Sequence, residues 1–272
     1  MNLDSIEKLS RAQKLESSTL SRVEARYLVN SYYQIQDYRK TAFAQERELS
    51  KDTPNEADVK QHQVISWLAQ NMETFEKQII RSLDTYSEST TVGRWSRSVI
   101  GIGPVIAAGL IAHIDIEKAP TVGHIWRFAG LDPTSVWNKG EKRPWNADLK
   151  VLCWKIGESF VKVCNKDDAF YGNIYQVRKE KELVRNENLE FKKQAEEKLA
   201  KFKIGKDTDA YQWYSQGKLP PAHIHARSKR YAVKLFLAHW HHIAYIDHYK
   251  KEPPSPYPIA MLGHAHYIAP PL

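Results

Sequence analysis

Between residues 18 and 50 apolar side chains return at helical spacing, at Leu20, Val23, Tyr27, Leu28, Tyr32 and Ile35. The run breaks at KDTPNEAD, where Pro54 suits the first turn of a new helix and Ser50, Asp52 or Thr53 can cap it. A second run comes next at Val59, Val64, Ile65, Leu68, Met72, Phe75, Ile79, Ile80 and Leu83. Two amphipathic helices of about thirty residues with a short polar link form an antiparallel helical hairpin or coiled coil within residues 1–90. Residues 18–83 then offer either a seam for a homodimer or higher oligomer, or a face folded back on the chain itself. The pattern leaves both open.

Residues 84–98 (DTYSESTTVGRWSRS) are polar and mark a boundary. From 99 to 170 short apolar stretches alternate with Gly/Pro turns. Residues 171–203 predict one long charged helix with interspersed Glu and Lys and sparse apolar positions (Ile174, Val177, Leu183, Leu189, Phe191, Leu199), an exposed or coiled-coil pattern. A polar loop with Gly205 and Gly217 leads to Pro220 and Pro221, after which the sequence is strongly helical from about Ile224 to Tyr249. The tail EPPSPYPIAMLGHAHYIAPPL carries six prolines and reads as irregular. No strand pattern or internal repeat is visible. The expected fold is all-α, with a hairpin domain at 1–90 and a helical domain at 91–272 into which the charged helix is inserted.

Composition narrows the class. With 272 residues, 42% of them hydrophobic, the chain can bury one large core or two modest ones. No apolar run approaches the ~18 residues of a membrane span, and the start MNLDSIEKLSRAQ lacks the apolar segment of a secretory signal. Cys153 and Cys164 are the only cysteines, which points to a reducing, cytoplasmic setting, nucleoid-associated when DNA is bound. The net charge of +8 is unevenly spread. Residues 1–90 hold twelve basic and fourteen acidic side chains, so the later part carries +10 and is where a polyanion would dock.

Three stretches there suit phosphate. In RWSRSVIGIGPVIAAGLIAHI, a helix ending near Val99 meets a turn at Gly101 and Gly103, and Pro104 opens a second helix at its favoured first position. Ala107, Ala108 and Ala112 are small enough for close helix packing. This is the layout of a helix-hairpin-helix, whose turn aims backbone N–H groups at a DNA phosphate without reading bases. Gly101, Gly103, the following Val105, and Arg94 and Arg97 just before the turn are the candidates. In KGEKRPW, flanked by Trp137 and Trp145, the cations Lys139, Lys142 and Arg143 stand among flat aromatics that bind backbone and stack on bases. At the start of the late helix, Arg227, Arg230 and Lys234 share one face, beside Lys229.

The order of GIGPVIAAGLIAHI, IWRFAGLDPTS, NADLKVLCWKIGESF and HARSKRYAVKLFLAHWHHI resembles the C-terminal transposase domain of the IS-one-ten/Piv family of insertion-sequence transposases and invertases, over roughly residues 92–250. The resemblance implies DNA recombination by a RuvC-like domain that holds metal, a coiled coil, and a C-terminal domain that supplies a nucleophilic serine; a guide RNA is a further implied partner. In this chain the serine-bearing segment corresponds to VWNKGEKRPWNADLK, which has no serine between Gly140 and Asn146; Ser135, beside AGLDP, lies earlier. Residues 1–90 match the coiled coil rather than a RuvC-like fold. The resemblance therefore implies a C-terminal half without either catalytic centre.

Eight of the eleven histidines lie beyond residue 220, and His241 and His248 share a helix face next to Asp247, the one arrangement that suggests a divalent metal. It has no HExxH or CxxC partner, and core and interface histidines explain most such patterns, so no cofactor is expected. GxSxG, P-loop and Rossmann fingerprints are missing, and the acidic pairs Asp115/Glu117 and Asp167/Asp168 suit helix caps. The resulting expectation is a transposase-related protein that binds duplex DNA by backbone and shape, without intact recombinase chemistry and without membrane contact. The alternatives are an active serine-type transposase using Ser135, a metal-dependent nuclease, or a structural interaction protein of a mobile element or virus.

Overall fold

The computed structural model describes residues 6–49, 51, 56–254 and 268–271. The capping candidates Ser50, Asp52 and Thr53, with Pro54, and the histidines His264 and His266 lie outside the described residues. Among those described the fold is all-α, without strands. The chain divides into two compact units: Met1–Ser98 with Gly103–Asp115, and Val99–Ile102 with Ile116–Leu272.

The first unit is built on the expected hairpin. Helix α1 (Arg11–Glu16) opens with a capping box at Ser10, and α2 (Arg22–Leu49) and α3 (Glu56–Glu88) pair along their length. Their seam is unusually polar: Arg39 and Gln36 on α2 both bond the buried Glu76 on α3. The backbone N–H of Ile6 donates to Asn71 Oδ1 at 3.1 Å, tying the start of the chain to α3. A short helix, α4 (Thr91–Ser98), leads to α5 (Pro104–His113), whose residues from Ala107 to His113 are all buried. α5 packs on α2, α3 and α4, and this explains its lack of polar residues: a helix with no solvent face is apolar all round. The predicted Pro104 start is present, with Gly103 as N-cap. The boundary expected near residue 90 lies later, because α5 belongs with the hairpin rather than with the helices after residue 116.

In the second unit a short turn at Ile116–Lys118 and α6 (Val122–Phe128) precede a loop over 129–146. Then come α7 (Ala147–Lys162), α8 (Phe170–Glu187), α9 (Lys192–Lys201), α10 (Asp209–Ser215) and α11 (Pro221–Tyr249). α11 is the axis, burying Ile224, Ala232, Val233, Phe236, Leu237 and Trp240 against α6, α7 and α8. Phe160 of α7 stacks on Tyr171 of α8 at 5.0 Å, and Phe236 meets both rings edge-on. His239 joins them: its Nδ1 accepts from the Tyr171 hydroxyl at 2.6 Å, and its Nε2 donates to the Ile268 carbonyl at 2.7 Å.

The single helix expected over 171–203 is two. The chain turns between α8 and α9, with Leu189 in the left-handed region at φ 59°. Buried Asn186 fixes that corner by bonding both backbone groups of Leu219, at 2.9 and 2.8 Å. Nor is this part merely solvated. Glu182, fully buried, receives Arg178, Arg185 and Arg227, and the latter two guanidiniums lie 4.8 and 4.6 Å from the Phe191 ring centre.

Candidate nucleic-acid interface

The loop over 129–146 is pinned at its ends. Leu131 N–H donates to Trp126 O at 2.8 Å, and Asn146 N–H donates to Phe128 O at 2.9 Å. Asn146 also caps α7, its side chain accepting from Leu149 N–H at 2.8 Å. Within the loop Gly130 adopts φ +64°, and a Cβ there would stand 2.8 Å from the Trp145 ring. Trp145 therefore lies flush on the backbone. Lys150 Nζ sits 4.0 Å from the same ring, and Trp137 meets it edge-on at 6.2 Å. The Trp137 indole donates to Glu141 O at 2.8 Å, and the Arg143 guanidinium lies 4.8 Å over the Trp137 ring. The two tryptophans organise the loop, and its cations are left on the outside.

Folding brings Arg143 of this loop near Lys150 at the start of α7, which also feels Arg230 in the first half of α11. Lys150 is held below the ordinary lysine pKa by partial burial and then by the positive charges of Arg143 and Arg230. Arg230 is lowered by burial and by Arg227, and His223 is pushed down to about 4 by burial and then by Arg230, Arg227 and Lys198. A track of like charge thus runs from the loop across the ends of two helices. Among the described residues, Lys139, Lys142, Arg143, Lys150 and Arg230 form no ion pair, and all five reach solvent.

Other predicted residues have inward duties. Arg227 bonds Glu182 at 2.8 Å, and Lys229 pairs with Glu158. Lys234 lies 4.1 Å over Trp126, whose indole donates to the Lys234 carbonyl at 3.1 Å; burial lowers its pKa against the opposing charge of Asp132. Trp145, half-buried between Gly130 and Lys150, is a loop organiser rather than a free platform for a base.

The hairpin turn is also accounted for by packing. Gly101, at φ +98°, belongs to the second unit, where its carbonyl accepts the Ser159 hydroxyl and its α-carbon faces Phe160 of α7 and the capping Val163 that follows it. Val105 is buried, so its side chain offers nothing to DNA. In the first unit Arg97 pairs with Asp84 at 3.0 Å, and Arg94 donates to the Glu88 carbonyl at 2.8 Å. Gly103 serves as the α5 cap and is open on its α-carbon side.

The catalytic and metal candidates do not assemble. Ser135 Oγ is a buried atom without a hydrogen-bond partner among the described residues, so no base is in place to activate it. His241 donates to Ala119 O at 2.8 Å, His248 approaches Glu117 at 3.6 Å, and Asp247 pairs with Lys250. They face different partners, and no three His, Cys, Asp or Glu among the described residues are placed to hold a metal ion.

Two residues of this face were not singled out from sequence, Lys150 and Trp154. The signal was present in the Asn146-x-x-Leu-Lys helix start, which fixes Lys150 on the first turn of α7 and Trp154 one turn later on the same side. Compared with known proteins, the chain matches no family model, no curated protein and no solved structure.

Proposed function

We propose that this protein binds nucleic acid, duplex DNA first of all, through the basic face of its second unit, by backbone and shape rather than base sequence. The observation that carries the reading is the cluster of Arg143, Lys150 and Arg230, in which partial burial and then the neighbouring positive charges lower the lysine pKa, with no carboxylate paired to them among the described residues. Unbalanced like charges oppose folding, and a phosphate backbone relieves that repulsion while releasing counterions. The charge asymmetry of +10 after residue 90 supports the same partner. The resemblance to IS-one-ten/Piv transposases supports a transposase-related origin. Recombinase chemistry is not part of the reading, since Ser135 lacks a base and the expected nucleophile segment lacks a serine.

Self-association through the first unit accompanies this reading. Val64, Leu68 and Phe75 lie along one side of α3 at helical spacing and are exposed, as are Val23 and Tyr27 of α2. The functional test is binding of a random-sequence duplex over a salt series. Affinity that falls steeply and log-linearly as salt rises is expected; no affinity at low salt, or none of that salt dependence, defeats the proposal.

A further inference from the structure

Trp154 occupies an unusual place on the basic face. It projects from α7 one turn after Lys150, about 6 Å along the helix axis. Its side chain is 59% exposed, and its indole N–H has no hydrogen-bond partner among the described residues. The Lys229 ammonium stands 5.8 Å from the ring, held by Glu158 on the following turn. Trp137, the other exposed tryptophan of this face, is already covered by Arg143, and Trp145 lies against Gly130. Trp154 is thus an open aromatic surface flanked by cations on both sides along its helix.

We propose that this face takes unpaired nucleotides as well as duplex, with the ring of Trp154 stacking on a base while Lys150, Arg143 and Arg230 hold the phosphates beside it. The inference rests on the nucleic-acid reading above and narrows its ligand. A base in a duplex is sandwiched between its neighbours and has no face to offer. An unpaired base does, and a cationic groove with a flat aromatic is the general recognition chemistry for single strands. DNA and RNA single strands share that chemistry. A lone exposed aromatic needs no explanation; one set a turn from Lys150, which forms no ion pair among the described residues, with the Lys229 ammonium near its ring, suits a ligand that is both anionic and flat.

The test uses the full chain with oligo-dT and oligo-rU of about 16 nucleotides, the upper end of single-strand site sizes, and a duplex of equal length. Trp154→Ala is expected to weaken single-strand binding by roughly 5- to 150-fold, the range for losing one stacked aromatic, and to change duplex binding less than about twofold. Trp154→Phe, which keeps a ring, is expected to retain most of the single-strand affinity. A preference for oligo-dT or for oligo-rU supports the platform in either case and identifies the sugar. Unchanged single-strand affinity in Trp154→Ala overturns the inference, and so does equal weakening by Trp154→Phe and Trp154→Ala. If duplex binding with its salt dependence survives in those cases, the broader reading stands. If no polynucleotide binds at all, both fall.

Discussion

At the residue scale, the basic face depends on two placements that only the folded chain reveals. Lys150 counts because Arg143 and Arg230 arrive beside it from a loop and another helix, and Trp145 counts as the plate on which the loop is assembled. Gly130 makes that plate fit, since any side chain there meets both a left-handed backbone at φ +64° and the Trp145 ring at 2.8 Å. Gly130→Ala is therefore expected to lower stability by about 1–3 kcal/mol, combining backbone strain with overpacking, and to weaken duplex binding by loosening Arg143. Thermal unfolding and a binding titration on the same sample check both effects. Much of this is legible in the chain: KGEKRPW announces the loop, and Arg230 is an exposed cation on the face its spacing predicts. Arg227 is not separable from Arg230 by sequence, because its partner Glu182 lies 45 residues away and a helical face does not say which cation will meet it.

At the scale of elements, helix lengths and starts are readable because they arise from local pattern. The α2–α3 hairpin, Pro104 at the start of α5, Asn146 before α7 and the late helix ending at Tyr249 all fall close to where spacing puts them. The break between α8 and α9 is hidden, because Leu189 takes the left-handed conformation without a glycine, and buried Asn186 makes that turn worthwhile from a distant loop. Apolar GIGPVIAAGLIAHI is ambiguous for a similar reason. Its helix start at Pro104 is visible, but complete burial of α5 is decided by the α2–α3 pair. The corner between α8, α9 and α11 rests on Glu182. Burial raises its carboxyl, but the Arg227 hydrogen bond and the charges of Arg227, Arg178 and Arg185 outweigh burial and hold its pKa below the usual value. Glu182→Ala leaves Arg178 and Arg227 without their acid, Arg185 keeping Glu190, and is expected to cost about 3 kcal/mol, read by chemical denaturation at neutral pH. A carboxyl lowered by folding stabilises above its unfolded pKa near 4.5, and that contribution is lost as pH falls through the folded value. Wild type is thus expected to lose stability below about pH 4.5 more steeply than Glu182→Gln.

At the scale of the whole molecule, the two units differ in charge: the excess of basic residues lies after residue 90, mostly in the second unit. The first carries exposed Val64, Leu68 and Phe75, so sedimentation equilibrium is expected to show a dimer or larger species that Leu68→Lys shifts toward monomer; an unchanged monomer contradicts self-association through this stripe. The second carries the Arg143–Lys150–Arg230 cluster, on which the nucleic-acid reading stands or falls. The decisive measurement is the slope of log affinity against log salt for duplex binding, in wild type and in the triple variant Arg143→Ser, Lys150→Ser, Arg230→Ser. Each phosphate contact contributes about 0.9 to that slope, so the variant is expected to bind much more weakly, with a slope shallower by about 2–3. Equal slopes and equal affinities in the two proteins, with the variant folded, would contradict the claim that this face holds nucleic acid.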